Sequence, residues 1–201
     1  MSNTGKFLHR FRSPFKIQEF LDSLTYSIEE RYRCPRSVIE DKKAHCYDGA
    51  VFAAAALHYL DYRPLLVELL PNHRDDDHIL AVFRQEKRWG AVAKSNFVGL
   101  RYREPVYHNL RELVMSYFES YFNVAGERTL VGYTAPLDLH RFDKLNWMEN
   151  DSVMEIIADA LDAKLHYDIL PVGMSRKLTH VDTRSYRAGL LDAKQSGLFK
   201  L

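Results

Sequence analysis

The stretch Ala44-His45-Cys46-Tyr47-Asp48-Gly49-Ala50-Val51-Phe52-Ala53-Ala54-Ala55-Ala56-Leu57-His58-Tyr59-Leu60 decides how this chain is read. Strong helix formers and an Ala-rich interior predict a helix over 45–60 that is buried on most sides. A cysteine stands in its first turn. Unpaired backbone N–H groups and the positive end of the helix dipole stabilise a thiolate at that position and lower the thiol pKa. The same N–H groups can receive the oxyanion of an attacked acyl group. Cys46 is therefore expected to be a nucleophile, the plain alternative being a small buried hydrophobe.

On the N-terminal side, Ile17, Phe20, Leu21, Leu24 and Ile28 recur at helical spacing and predict a helix over 17–32, which Pro35 interrupts. On the C-terminal side Arg63-Pro64 punctuates the chain, and the apolar run 65–70 suits a buried strand. A polar loop, 72–77, leads to two further strands, 79–83 and 89–93, joined by the charged turn 85–88. Residues 110–122 form an amphipathic pattern rich in aromatics, 129–133 and 137–142 read as extended, and Asp151 is placed to cap a helix over 153–165. The basic segment 171–201 predicts a helix packed loosely on the rest. No repeat or flexible linker divides the chain. The expected fold is one α+β domain over 1–201, with a core of about 16–142 and a helical extension of about 150–201.

Composition narrows the function classes. A domain of 201 residues can bury roughly 70% of its unfolded surface and needs no staples. Lys plus Arg number 28 against 27 Asp plus Glu, and a net charge of +1 offers no grip on a polyanion, so nucleic acid is not expected. Two cysteines, Cys34 and Cys46, exclude a disulfide scaffold and a four-cysteine zinc module. The longest apolar run, 50–57, falls short of the roughly 18 residues a membrane span requires. The basic lead-in of Lys6, Arg10, Arg12 and Lys16 lacks the apolar centre of a secretory signal, so a cytoplasmic location is expected.

A nucleophilic thiol needs a base. His78 follows the loop Arg74-Asp75-Asp76-Asp77 and opens a strand, where it projects from a sheet edge toward a helix N-terminus. His45 neighbours Cys46 in sequence, but adjacent helix residues point apart, and His58 lies about three turns away. His73 and His78 with an aspartate of the loop could instead ligate a metal. Cys34, next to Pro35, has no buried helix behind it and reads as structural.

These segments together resemble the transglutaminase-like cysteine hydrolase domain, which shares the papain-like Cys-His-Asp/Asn arrangement. His45-Cys46-Tyr47-Asp48-Gly49-Ala50 resembles the family's Gly-x-Cys-x-x-x-Ala nucleophile segment, and 57–64 resembles the helix end and the turn into the first core strand. Asp77-His78 and Trp89-Gly90-Ala91-Val92 resemble the histidine strand and the tryptophan strand that carries the third catalytic residue. The resemblance covers about residues 44–100. It implies a cysteine-bearing helix packed on an antiparallel sheet that bears the histidine.

The chain departs from the pattern at two places. Ala44 stands where a glycine often precedes the nucleophile, and Ala93 stands where the aspartate usually follows the tryptophan. Ser95 and Asn96 are the nearest polar candidates, and Asn96 is preferred because an asparagine can orient a histidine by accepting from its ring N–H, with an aspartate of the 75–77 loop as the alternative. The resemblance then implies a triad of Cys46, His78 and Asn96 that forms a thioester on a peptide or amide substrate, without metal or cofactor, and hydrolyses it. The alternative is the same fold kept as a peptide- or protein-binding module with turnover weakened or lost.

Overall fold

The structure is a computed structural model that describes residues 2–201. Its elements run α1 (Asn3–Leu8), α2 (Pro14–Ser23), β1 (Thr25–Tyr26), α3 (Pro35–Asp41), β2 (Lys43–Ala44), α4 (Cys46–His58), β3 (Leu65–Pro71), β4 (His78–Gln85) and β5 (Arg88–Val92). They continue with β6 (Arg103–Tyr107), α5 (Leu110–Met115), β7 (Leu130–Thr134), β8 (Leu137–Asp138), α6 (Met154–Asp162), β9 (His166–Asp168) and α7 (Thr183–Gly189), with short 3-10 turns between. The main sheet has the order β6-β5-β4-β3-β7-β9, with β8 also on β3, and every pairing in it is antiparallel. The fold is α+β, as the sequence predicts.

The sheet is covered on both faces. Ile79, Ala81 and Phe83 of β4 join α4, α2 and α6 in one apolar cluster. Leu80 and Val82 join Leu69, Leu113, Tyr117 and Tyr121 in a second cluster on the opposite face. The period-2 alternation of a strand sends neighbours to opposite faces, so burial on both sides explains why β4 reads as an unbroken apolar run. Helix α4 is buried from Tyr47 to Leu57 and lies across β4, which fits its all-round apolar sequence.

Several boundaries differ from those predicted. The helix expected over 17–32 ends at Ser23, because the Lys94 ammonium donates to the carbonyls of Leu21 at 2.7 Å and Leu24 at 2.6 Å and closes the helix C-terminus. The chain then turns into β1, which pairs in parallel with β2, Tyr26 opposite Ala44, and Ile28 is left exposed. The helix expected over 110–122 stops at Met115 and tightens into a 3-10 turn at Phe118–Ser120, while Tyr117 and Tyr121 stay buried. Asp151 does not cap the helix that begins at Met154. Its carboxylate instead accepts from the backbone N–H of Cys34 at 2.9 Å and the Ser37 hydroxyl at 2.8 Å. No helix among the described residues is long and apolar enough to cross a membrane.

Candidate functional site

The N-terminus of α4 is built by a capping box. His45 is the N-cap, and its Nδ1 accepts from the backbone N–H of Tyr47 at 3.1 Å, while the Asp48 carboxylate accepts from the N–H of His45 at 3.4 Å. Asp48 is fully buried and also accepts from the Arg33 backbone N–H at 2.8 Å. The Arg33 guanidinium, itself only 1% exposed, contacts Asp48 at 3.6 Å, Asp41 at 2.8 Å and the Ser27 hydroxyl at 3.1 Å, and also pairs with Glu29. This network locks the loop before α3 onto the entrance of α4 and fixes the position of Cys46.

Cys46 lines two cavities. The larger, of about 520 Å³, is bounded by Tyr26, Tyr32, Tyr47, Glu68, Asp77 and Asp162, together with other residues of α4, α6 and β4. The smaller, of about 60 Å³, has Cys46, Asp76, His78, Asn96, Leu100 and Tyr121 in its walls. The three residues expected to form a triad therefore reach one cavity. They do not form a hydrogen-bonded set.

Register explains why. Leu69 pairs with His78 and Glu68 with Ile79 in the β3–β4 ladder, and cross-strand partners share a face. His78 lies with Leu69 and Leu80 on the face away from α4, and its Nε2 donates to the carbonyl of Leu100 at 2.7 Å. The carbonyl can only accept, so the neutral ring keeps Nδ1 as its lone-pair nitrogen. Burial, offset in part by that bond, pulls the His78 pKa down to about 4. Asp77, the residue before β4, lines both cavities with Cys46, whereas His78 shares only the smaller one.

Asn96 is also engaged elsewhere. Its amide nitrogen donates to the Lys194 carbonyl at 2.9 Å, and its oxygen accepts from the Lys194 N–H at 2.8 Å. His73 sits in a separate surface cavity with Arg74 and His180, so it is not brought to His78. Cys34 is buried beside Ser37, with Sγ 3.7 Å from the Ser37 hydroxyl, as expected for a structural thiol.

Electrostatics at Cys46 runs against the effect predicted from its helix position. Burial, then the carboxylates of Asp77 and Asp76, push the thiol well above its ordinary pKa, opposed by the Tyr47 backbone N–H. The helix terminus favours the thiolate only modestly, and the partial burial of Cys46 together with the neighbouring carboxylates outweighs it. Asp77 is raised by burial, by Asp76 and by Glu68, and Glu68 is raised by burial and by Asp162. Glu68 is 6% exposed and its Oε2 has no hydrogen-bond partner among the described residues. The larger cavity is thus acidic and aromatic, with an unpartnered carboxylate oxygen in its wall.

Sequence reasoning missed Glu68 and Tyr26 as lining residues, while Asp77 was among the loop aspartates it offered as the alternative third residue. One signal was available: Glu68 is the only charged residue of Leu65-Leu66-Val67-Glu68-Leu69-Leu70, an acid inside a buried strand. No known protein-family model matches the chain, and no curated protein matches it.

Proposed function

We propose that the Cys46 cleft is a binding site for a lysine- or arginine-bearing peptide segment, in a module that keeps a cysteine-hydrolase-like cleft without its turnover. The observation that carries this reading is the acidic wall beside Cys46, where Asp76, Asp77 and Glu68, whose Oε2 has no hydrogen-bond partner among the described residues, line one cavity. His78 commits its Nε2 to the Leu100 carbonyl, and the carboxylates beside Cys46 favour the thiol over the thiolate. The same carboxylates, with the faces of Tyr26, Tyr32 and Tyr47, suit an ammonium or guanidinium group.

The test is fluorescence anisotropy of a labelled lysine- and arginine-containing peptide against the chain and its Glu68→Gln variant. Saturable binding that weakens at least tenfold in the variant and falls with added salt supports the reading. Binding that ignores both, or an acidic peptide binding equally well, removes it.

The second reading is acyl hydrolysis through a Cys46 thioester. It is favoured by the first-turn position of Cys46 and by the wall it shares with His78. Rapid, stoichiometric labelling of Cys46 by an electrophilic acyl probe near pH 7 would establish it in place of the first.

A further inference from the structure

The three cavities around Tyr26 share one border, and that border is the last stretch of this sequence. Leu191, Asp192 and Lys194 edge a cavity of about 520 Å³ with Tyr26, Lys94 and Asn96. Ser196 and Gly197 edge the larger Cys46 cavity, and Gly197 with Phe199 edges the smaller one. We propose that residues 194–201, Lys-Gln-Ser-Gly-Leu-Phe-Lys-Leu, are a resident peptide ligand of the cleft, held by Asn96 and displaceable by a peptide added in trans. The proposal rests on the peptide-binding reading above and names its first occupant.

Four observations carry it. Asn96 grips both the N–H and the C=O of Lys194, two bonds that read backbone and ignore side-chain identity, as a peptide-binding surface must. The Lys194 backbone is extended, with φ −73° and ψ 105°, and its ammonium donates to the Tyr26 carbonyl at 3.2 Å. At Gly197 an added Cβ would stand 3.1 Å from the Tyr26 ring and 3.2 Å from Ile28, so the segment passes close over the cleft floor where only glycine fits without displacement. The segment carries Lys194 and Lys200 and no acid, which complements the carboxylates of the cavity it borders.

The hold is also light. The backbone bonds within the segment are those of one 3-10 turn, Gly197 N–H to Lys194 O at 2.9 Å and Leu198 N–H to Gln195 O at 3.3 Å. None of its residues enters the main sheet. Phe199 is 38% exposed and Leu201 is 55% exposed, so little apolar area anchors them.

The experiment uses the full chain and a fluorescein-labelled synthetic peptide with the sequence of residues 192–201. Gly197→Trp dislodges the internal segment and leaves Asn96 in place. The expected result is binding of the peptide by Gly197→Trp at least tenfold tighter than by the unsubstituted chain, with that gain lost when Asn96→Ala is added. Equal binding by the unsubstituted chain and Gly197→Trp overturns the resident-ligand proposal and leaves the peptide-binding reading standing. No binding by either, to this peptide or to an unrelated basic one, removes both. A readout that needs no variant is amide hydrogen exchange in residues 194–201. Saturating basic peptide should accelerate it at least tenfold, and unchanged exchange at saturation also overturns the proposal.

Discussion

Leu69 and His78 stand opposite each other in the antiparallel β3–β4 ladder, and this pairing turns the imidazole to the face away from α4. The ring is 4% exposed, and its Nε2–H is committed to the Leu100 carbonyl. The histidine that the sequence nominated as a base is buried, with its Nε2 bonded to a backbone carbonyl, and it lines one small cavity with Cys46.

That placement makes His78 a determinant of acid stability. Its pKa falls from the usual 6.5 to about 4 on folding, chiefly through burial, with Arg103 adding to the depression. In this window the unfolded chain binds a proton that the folded chain does not, so stability is lost as pH falls from about 6.5 towards 4. At about 1.4 kcal/mol per pKa unit the contribution is roughly 3 kcal/mol. His78→Gln keeps a donor for Leu100 and removes the titration. Urea unfolding of both chains between pH 7 and pH 4 should show the substituted chain losing less stability over that range. Parallel pH curves would refute the assignment.

A second prediction concerns the thiol. Asp77 and Asp76 follow burial as the largest causes of the raised Cys46 pKa. Replacing both with asparagine removes negative charge beside Sγ and lowers that pKa. Iodoacetamide alkylation of Cys46 at pH 8, where the thiolate is the minor form, should then be faster than in the unsubstituted chain. Peptide mapping by mass spectrometry separates Cys46 from the fully buried Cys34. A rate unchanged by the double substitution would show that burial alone sets the thiol.

The third prediction is at the contact of α4 with the segment after β5. A Cβ added at Gly49 would stand 2.3 Å from the Cβ of Lys94, closer than two carbons can approach. Alanine is favoured over glycine inside a helix by about 1 kcal/mol. Here the clash should reverse that sign, because Lys94 is held by the carbonyls of Leu21 and Leu24 and cannot retreat. Gly49→Ala should cost about 1–3 kcal/mol as an overpacked site, measured by thermal or urea unfolding. A stabilised variant would contradict the packing.

The sequence disclosed elements better than faces. Helix α4 and strands β3, β4 and β5 lie where their apolar runs and breakers put them, within a residue or two. What the runs could not disclose was parity. With apolar clusters on both sides of the sheet, Ile79 and Leu80 look alike in sequence, and a shift of one residue would move His78 from one face to the other. A strand with one solvated face would have announced its orientation through alternating polar residues. The end of α2 was hidden for a different reason: its cap is Lys94, some seventy residues away in the chain, and such a long-range bond leaves no local pattern. The partner of Asn96 was illegible for the same reason, since its bonds go to Lys194.

Tyr26, paired with Ala44 just before Cys46, forms part of the wall of all three cavities. One residue thus forms a shared partition between three chambers. A guest that moved this partition in one chamber would change the affinity of the others, and by thermodynamic reciprocity would be affected by theirs to the same factor. A substitution at Tyr26 would therefore reshape all three chambers at once.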